Sequence, residues 1–501
     1  MKMTAHDFVR GAVTAPHEHR PRMPCPQTTV PDASSRGCLP ARLLLPALLV
    51  SVQWLGVWSV PAASSSAEQN WPQWRGPLGT GVAPTANPPV TWSETSNIKW
   101  KVKIPGSGSA TPIIWGDQVF IQTAIPTGKK VEPPPAAKPE SPPAAAEAPA
   151  ENQAGRRRGG FGGGEKPTEV HQFVMLCLDR QTGKVLWQQT AREEVPHEGH
   201  RQNDGTFASS SPMTDGKHVF AYFGSRGLYC YDMSGKLQWS QDFGDMRVAN
   251  GFGEGSSPAL FSKTMVVNWD HEGEDFIVAL DKETGKELWR QPRDERTSWA
   301  TPLIVEHNGQ SQIVTGATGK IRSYELATGK LLWECAGLTA NVIPSPVVGN
   351  GMVYCMSGFR GNALKAIRLG KSGDLTDSDA IVWTHNKATP YVPSPLLYEG
   401  KLYFFSNNNG LLSCFDAAAG KPFYAEERLQ DIPGVYASPV GAAGKVYLAG
   451  RNGATIVIKQ SDKLEVLATN RLDEKFDASL AVVGKELFLR GREYLYCVAE
   501  Q

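Results

Sequence analysis

The sequence predicts an all-β chain folded as a single eight-bladed β-propeller of four-stranded blades, with seven blades as the alternative count. Three observations carry this. A small hydroxyl residue followed by proline and apolar residues recurs at a nearly fixed interval. A turn-forming motif ending in an aromatic recurs in step with it, and helical periodicity is almost absent.

The first marker opens each repeat: Thr111-Pro112, Ser211-Pro212, Ser257-Pro258, Thr301-Pro302, Ser345-Pro346, Ser394-Pro395 and Ser438-Pro439. From Pro212 onward the prolines stand 46, 44, 44, 49 and 44 residues apart. A proline-less eighth copy, Asp477-Ala-Ser479-Leu480, follows 41 residues after Pro439. A fixed period in this range marks solenoids, propellers or arrays.

A second alternating run comes shortly after the first, as in Gln118-Val-Phe-Ile, Met352-Val-Tyr-Cys and Lys445-Val-Tyr-Leu. The third element is the most specific. Cys177-Leu-Asp179-Arg-Gln-Thr182-Gly183-Lys-Val-Leu-Trp187 recurs as Ala279 to Trp289 and as Ser323 to Trp333, with shorter forms at Cys230 to Trp239 and Cys414 to Tyr424. Asp and Thr oxygens can accept from turn amides, Gly supplies a positive φ, and the aromatic begins the next strand, so the motif reads as a hairpin.

Closure is also legible. The last copy stops at its third strand, Tyr494-Leu-Tyr-Cys-Val-Ala499, while an orphan strand, Ile98 to Ile104, precedes the first copy. Pairing the two would complete the last blade and remove an exposed edge.

Two stretches stand outside the repeat. Residues 1–67 read as an export segment: Arg42, an apolar run from Leu43 to Val60, then small residues with Ser65-Ser-Ala67 as a workable cleavage site. An uncleaved anchor is the alternative, and Met23 is a second candidate start. Residues 125–170, rich in Pro, Ala and Gly and carrying Arg156-Arg-Arg, read as a disordered insertion within blade 1, leaving 68–501 as the propeller.

Composition narrows the function classes. The chain has 501 residues, 51 Lys+Arg against 50 Asp+Glu, and 41% hydrophobic residues. A net charge of +1 excludes a globally basic nucleic-acid binder, and the apolar content excludes wholesale disorder. No Walker loop, G-x-S-x-G elbow or H-E-x-x-H occurs.

The A-x-D-x-x-T-G-x-x-x-W pattern resembles the tryptophan-docking motif of quinoprotein alcohol dehydrogenases and of bacterial PQQ-like repeat propellers, the family that includes BamB. The stretch Trp71-Pro-Gln-Trp74-Arg75-Gly76-Pro77 is similar to the start of many exported members. The resemblance implies the propeller fold and two functions. One is a protein-binding or scaffolding module in the periplasm or cell envelope, monomeric, with a protein partner, no cofactor, no nucleic acid and no stable membrane span. The other is a PQQ- and Ca²⁺-dependent alcohol dehydrogenase. That branch carries adjacent cysteines beside its quinone, whereas Cys177, Cys230, Cys335, Cys355, Cys414 and Cys497 include no adjacent pair, and no C-x-x-C-H occurs. Cys335 and Cys355 are the one pair that merits a disulfide test.

Binding or chemistry is expected in the loops of one face, opposite the Thr-Gly-Lys turns. Three neighbouring links are long and polar, and they place His197, His200, Arg201, Asp245, Arg247, Asn250, Glu254, Trp269, Glu295 and Trp299 on a candidate binding face. Trp269 and Trp299 lie outside the repeat's tryptophan slot, which marks them for ligand contact. His197, His200, Asp270 and His271 form a candidate metal set; the competing reading makes these groups salt-bridge and hydrogen-bond partners that order the loops.

Overall fold

The computed structural model describes residues 67–131 and 166–500. They form eight blades in a ring, each with four antiparallel strands, which settles the count at eight. Blade 1 is Ile113–Trp115, Gln118–Lys130, Glu169–Asp179 and Val185–Glu194. Its two middle strands stay paired out to Lys130 and Glu169, so blade 1 reaches into both ends of the stretch read as an insertion. Residues 132–165, and the export segment up to 66, lie outside the described residues. No described helix is long and apolar enough to cross a membrane.

Blade 8 closes as the sequence predicts. Ile98–Lys103 pairs antiparallel with Tyr494–Ala499, outside Glu486–Arg490 and Ala481–Val483. The apolar alternation of these strands packs into clusters shared between neighbouring blades, so the core is a ring of blade-to-blade interfaces.

The repeated motif acts between blades. The Trp289 indole Nε1 donates to the Leu326 carbonyl of the next blade at 2.9 Å and lies over Gly329, where a Cβ would come within 2.5 Å of the ring. Trp239 does the same with Lys282 and Gly285, Trp383 with Ala417 and Gly420, and Trp100 of the closing strand with Arg180 and Gly183. Trp333 is the exception: it donates within its own blade to Gln312 Oε1 at 2.9 Å. The glycine thus serves two needs at once, a φ near +70° and the absence of a side chain under a tryptophan.

The Ser/Thr-Pro marker also acts between blades. The Thr111 amide donates to Ser211 Oγ, Ser211 to Ser257, Ser257 to Thr301, Thr301 to Ser345, Ser345 to Ser394, Ser394 to Ser438 and Ser438 to Ser479, all at 2.8–3.0 Å. These seven bonds run round the axis from blade to blade. Thr111 Oγ1, at the remaining junction, is buried and finds no partner among the described residues. Proline after the hydroxyl residue fits because the amide that the ring needs belongs to the Ser or Thr, not to the next residue.

The segment 71–88 closes the axis on one side. Trp71 exchanges backbone hydrogen bonds with Ile114, Val82–Ala83 adds parallel to the innermost strand of blade 7, and Asn87 donates to the Gly484 carbonyl. The buried Arg75 guanidinium donates to the carbonyls of Pro439, Pro395 and Thr80 at 2.8–3.0 Å, and burial pushes its pKa down to about 9. Gly81, at φ 87°, is required beside it, since a Cβ there would meet the guanidinium at 2.2 Å.

Candidate functional site: the axial funnel

Beyond the hydroxyl ring the axis opens into a cavity of about 200 Å³ floored by Trp74 of the N-terminal segment. Its wall has a simple register. Ser109, Ser209, Gly255, Trp299, Ile343, Val392, Tyr436 and Asp477 line it, one from each blade, each two residues before the ring hydroxyl. Blades 1–3 contribute small residues there, and the space is taken by the long links, which bring in Arg201, Asp204, Phe252 and Glu254.

The blade 1–2 link reaches across the axis. Asp204 accepts from Arg451 of blade 7 at 2.9 Å and pairs with Arg201 Nε at 2.9 Å. Arg451 also donates to Asp477 at 2.5 Å and lies 3.8 Å over the Tyr436 ring. Arg492 pairs with Asp477 at 3.0 Å and donates to the Asn203 carbonyl. Glu254 is half-buried, accepts from the Ser225 amide and hydroxyl at 2.7 and 2.5 Å, and is pushed up by desolvation. The rings of Trp74, Phe252, Trp299, Tyr391 and Tyr436 also line the cavity.

The predicted face divides. Arg201, Glu254 and Trp299 line the funnel, and the Trp299 indole donates to the Gly253 carbonyl at 2.7 Å. Asp245, Arg247 and Asn250 are exposed at the rim, with Asp245 paired to Arg226. His200 packs edge-on to Phe207 at 4.5 Å, and burial lowers its pKa. Trp269 is not on the face: it is 2% exposed in the core, stacked on Phe276 at 5.8 Å. Glu295 is also buried, bonded to Arg322 at 2.5 Å.

The candidate metal set does not converge. His197 bonds Met246 O through Nε2 and faces Arg226 through Nδ1. Both His271 nitrogens are taken, Nδ1 by the Arg247 amide and Nε2 by the Glu274 carbonyl, at 3.0 Å each. Asp270 is clamped by Arg293. These groups serve as loop-ordering partners, because every donor atom that a cation would need at His271 and Asp270 is already engaged. The one three-member His/Asp/Glu group with converging ligand atoms among the described residues is Asp215, His218 and Glu283, in turns on the Thr-Gly side. There Lys282 bonds Asp215 at 2.6 Å and Lys217 bonds Glu283 at 2.8 Å. Cys335 and Cys355 are buried free thiols in one apolar cluster.

The sequence reading missed Trp74, Arg451, Tyr391, Tyr436 and Asp477. For Tyr436 and Asp477 the signal was present: the residue two positions before each ring hydroxyl is a wall residue in all eight blades.

No curated protein matches this sequence. Among solved structures, the quinohemoprotein alcohol dehydrogenase from Comamonas testosteroni aligns at 10% identity and TM-score 0.55, over 86% of this chain and 80% of that one. A europium-containing methanol dehydrogenase aligns at 10% identity and TM-score 0.55, over 86% and 99%. BamB from Moraxella catarrhalis aligns at 12% identity and TM-score 0.47, over 67% and 95%. At such identities the likeness shows the fold alone. The family model described as outer membrane protein assembly factor BamB matches residues 172–426, half of the sequence. The chain therefore belongs to the BamB family of PQQ-like repeat propellers.

Proposed function

We propose that the protein is an exported binding module of the cell envelope, without a catalytic centre, whose funnel receives a segment of a protein partner. The observation that carries this is the state of the funnel's charged groups. Asp204 and Asp477 are bridged by Arg451, and Glu254 is bonded to Ser225, so each is already satisfied within the protein. Between these groups five aromatic rings face the cavity, the kind of surface that takes up apolar or aromatic side chains of a partner. The family's description as an assembly factor for outer-membrane proteins agrees with an envelope role.

The second reading is a PQQ- and Ca²⁺-dependent dehydrogenase, favoured by the shared fold and by Trp74 on the floor. The donor set does not fit the ion. Ca²⁺ takes six to eight oxygens, whereas each funnel carboxylate faces an arginine or a hydroxyl, and the described residues hold no three-carboxylate cluster there.

A photoreactive residue in place of Phe252 should give one defined crosslinked adduct in cells, and the same residue at Val185 on the outer strand of blade 1 should give none. Equal crosslinking from both positions would sink the funnel as the docking site. Quinone absorbance with dye-linked alcohol oxidation, after mixing the purified protein with PQQ and Ca²⁺, would overturn the reading in favour of the second.

A further inference from the structure

A second cavity, also about 200 Å³, lies where blades 8 and 1 meet beneath the blade 1–2 link. It is lined by Ser107, Ser109, His200, Lys475 and Arg490, and it shares Asp204 and Asp477 with the funnel. Arg490 ends the strand Glu486–Arg490 and is 1% exposed. None of its three guanidinium nitrogens has a hydrogen-bond partner among the described residues. Every other buried arginine among the described residues is bonded: Arg75 to three backbone carbonyls, Arg293 to Asp270, Arg226 to Glu194 and Asp245, and Arg322 to Glu295. The neighbouring acid, Glu474, is spent on the amides of Lys475, Glu493 and Tyr494.

A buried guanidinium without an acceptor is costly, because its five donors give up water and gain nothing. The cavity beside it far exceeds the roughly 10–15 Å³ that one water needs. We infer that this cavity is a binding site for a small organic monocarboxylate, held by the Arg490 fork. A planar guanidinium matches a carboxylate in two parallel hydrogen bonds. Lys475 stands at the same lining with no ion pair among the described residues, so it adds attraction at the mouth. Asp204 and Asp477 in the lining are already paired with Arg451 and Arg492, so the unpaired Arg490 guanidinium is the group left to receive an anion, and its one fork matches the two coplanar oxygens of a carboxylate. The Ser107 and Ser109 hydroxyls can serve the remaining lone pairs. This site does not depend on what docks in the funnel.

The test is calorimetric titration and thermal melting of the mature protein with sodium acetate, sodium benzoate, inorganic phosphate, and Ala-Ala-Ala with a free or an amidated C-terminus. Ionic strength is held constant with sodium chloride. Acetate or benzoate should bind saturably and raise the melting temperature, and Arg490→Lys, which keeps the charge but loses the fork, should weaken binding roughly 100-fold. Tighter binding of the free-acid peptide than of acetate, with no binding of its amide, would also support the site and identify a chain end as the carboxylate's source. Arg490→Met should melt no lower than wild type when no carboxylate is added, since it removes an unsatisfied buried charge. A response equal to that of chloride, tighter binding of phosphate, unchanged affinity in Arg490→Lys, or a large loss of stability in Arg490→Met that carboxylate does not explain would each overturn the assignment.

Discussion

The Arg293 guanidinium forks onto the Asp270 carboxylate at 2.6 and 3.1 Å, with both side chains fully buried between blades 3 and 4. Arg293 also donates to Tyr324 OH at 2.7 Å and Thr315 Oγ1 at 3.1 Å, and Asp270 accepts from Ser298 at 2.6 Å. Removing one member strands the other, so Asp270→Ala should cost about 3–5 kcal/mol in urea unfolding. Asp270→Leu with Arg293→Met should recover most of that loss. A single substitution that costs under about 1 kcal/mol would show that the pair does not hold the loops.

A pH effect is expected at Asp215. Burial works against its ionisation, but the Lys282 ammonium at 2.6 Å and the amides of His218 and Lys217 outweigh it and hold the pKa at about 2, against the ordinary 3.8. A carboxyl depressed on folding adds stability above its unfolded pKa and loses it as pH falls through the folded value. Asp215→Asn should therefore be less stable than wild type by about 2 kcal/mol at pH 7. The gap should close between pH 4 and pH 2, as followed by thermal melting across that range.

The hydroxyl ring makes a paired prediction. Ser345→Ala leaves the Thr301 amide without its acceptor and should cost about 1–3 kcal/mol. Thr111→Val removes a hydroxyl that has no partner and should be neutral or slightly stabilising. Equal losses in the two variants, read from denaturation midpoints, would show that packing rather than the ring sets the effect.

The wall register can be used to block the funnel. Val392 is half-buried at the position two before Ser394, so Val392→Trp should fill the cavity while changing stability by under about 1 kcal/mol. Crosslinking from position 252 should then fall several-fold. Undiminished crosslinking would place the partner on the rim instead.

The repeat made the blade number, the closing strand and the face of the long links readable, because all three follow from strand order alone. Sequence shows which residues share a hairpin but not which blade a side chain reaches. Trp289 belongs to one motif with Gly285, yet it packs on Gly329 of the next copy. In the polar links the salt-bridge and hydrogen-bond reading describes Asp270 and His271, which are held by Arg293 and by the Arg247 amide, whereas Trp269, as the last residue of its strand, continues the buried pattern. Arg451 and Arg490 sit at strand ends and turns that look ordinary in one dimension. Their roles arise from Asp204, 247 residues away from Arg451, and from the lack of a hydrogen-bond partner for Arg490 among the described residues.

Blade 8 joins Ile98 to Val498, so the earliest strand of the propeller waits for the latest. Contacts this remote in sequence slow folding more than they weaken the final state. The N-terminal segment that floors the funnel touches the inner strands of blades 1, 7 and 8, so the funnel too is finished only when the last blade exists. During synthesis, the finished funnel therefore arrives in one late step. A molecule with a complete funnel is, by construction, one whose chain has been made through to Val498.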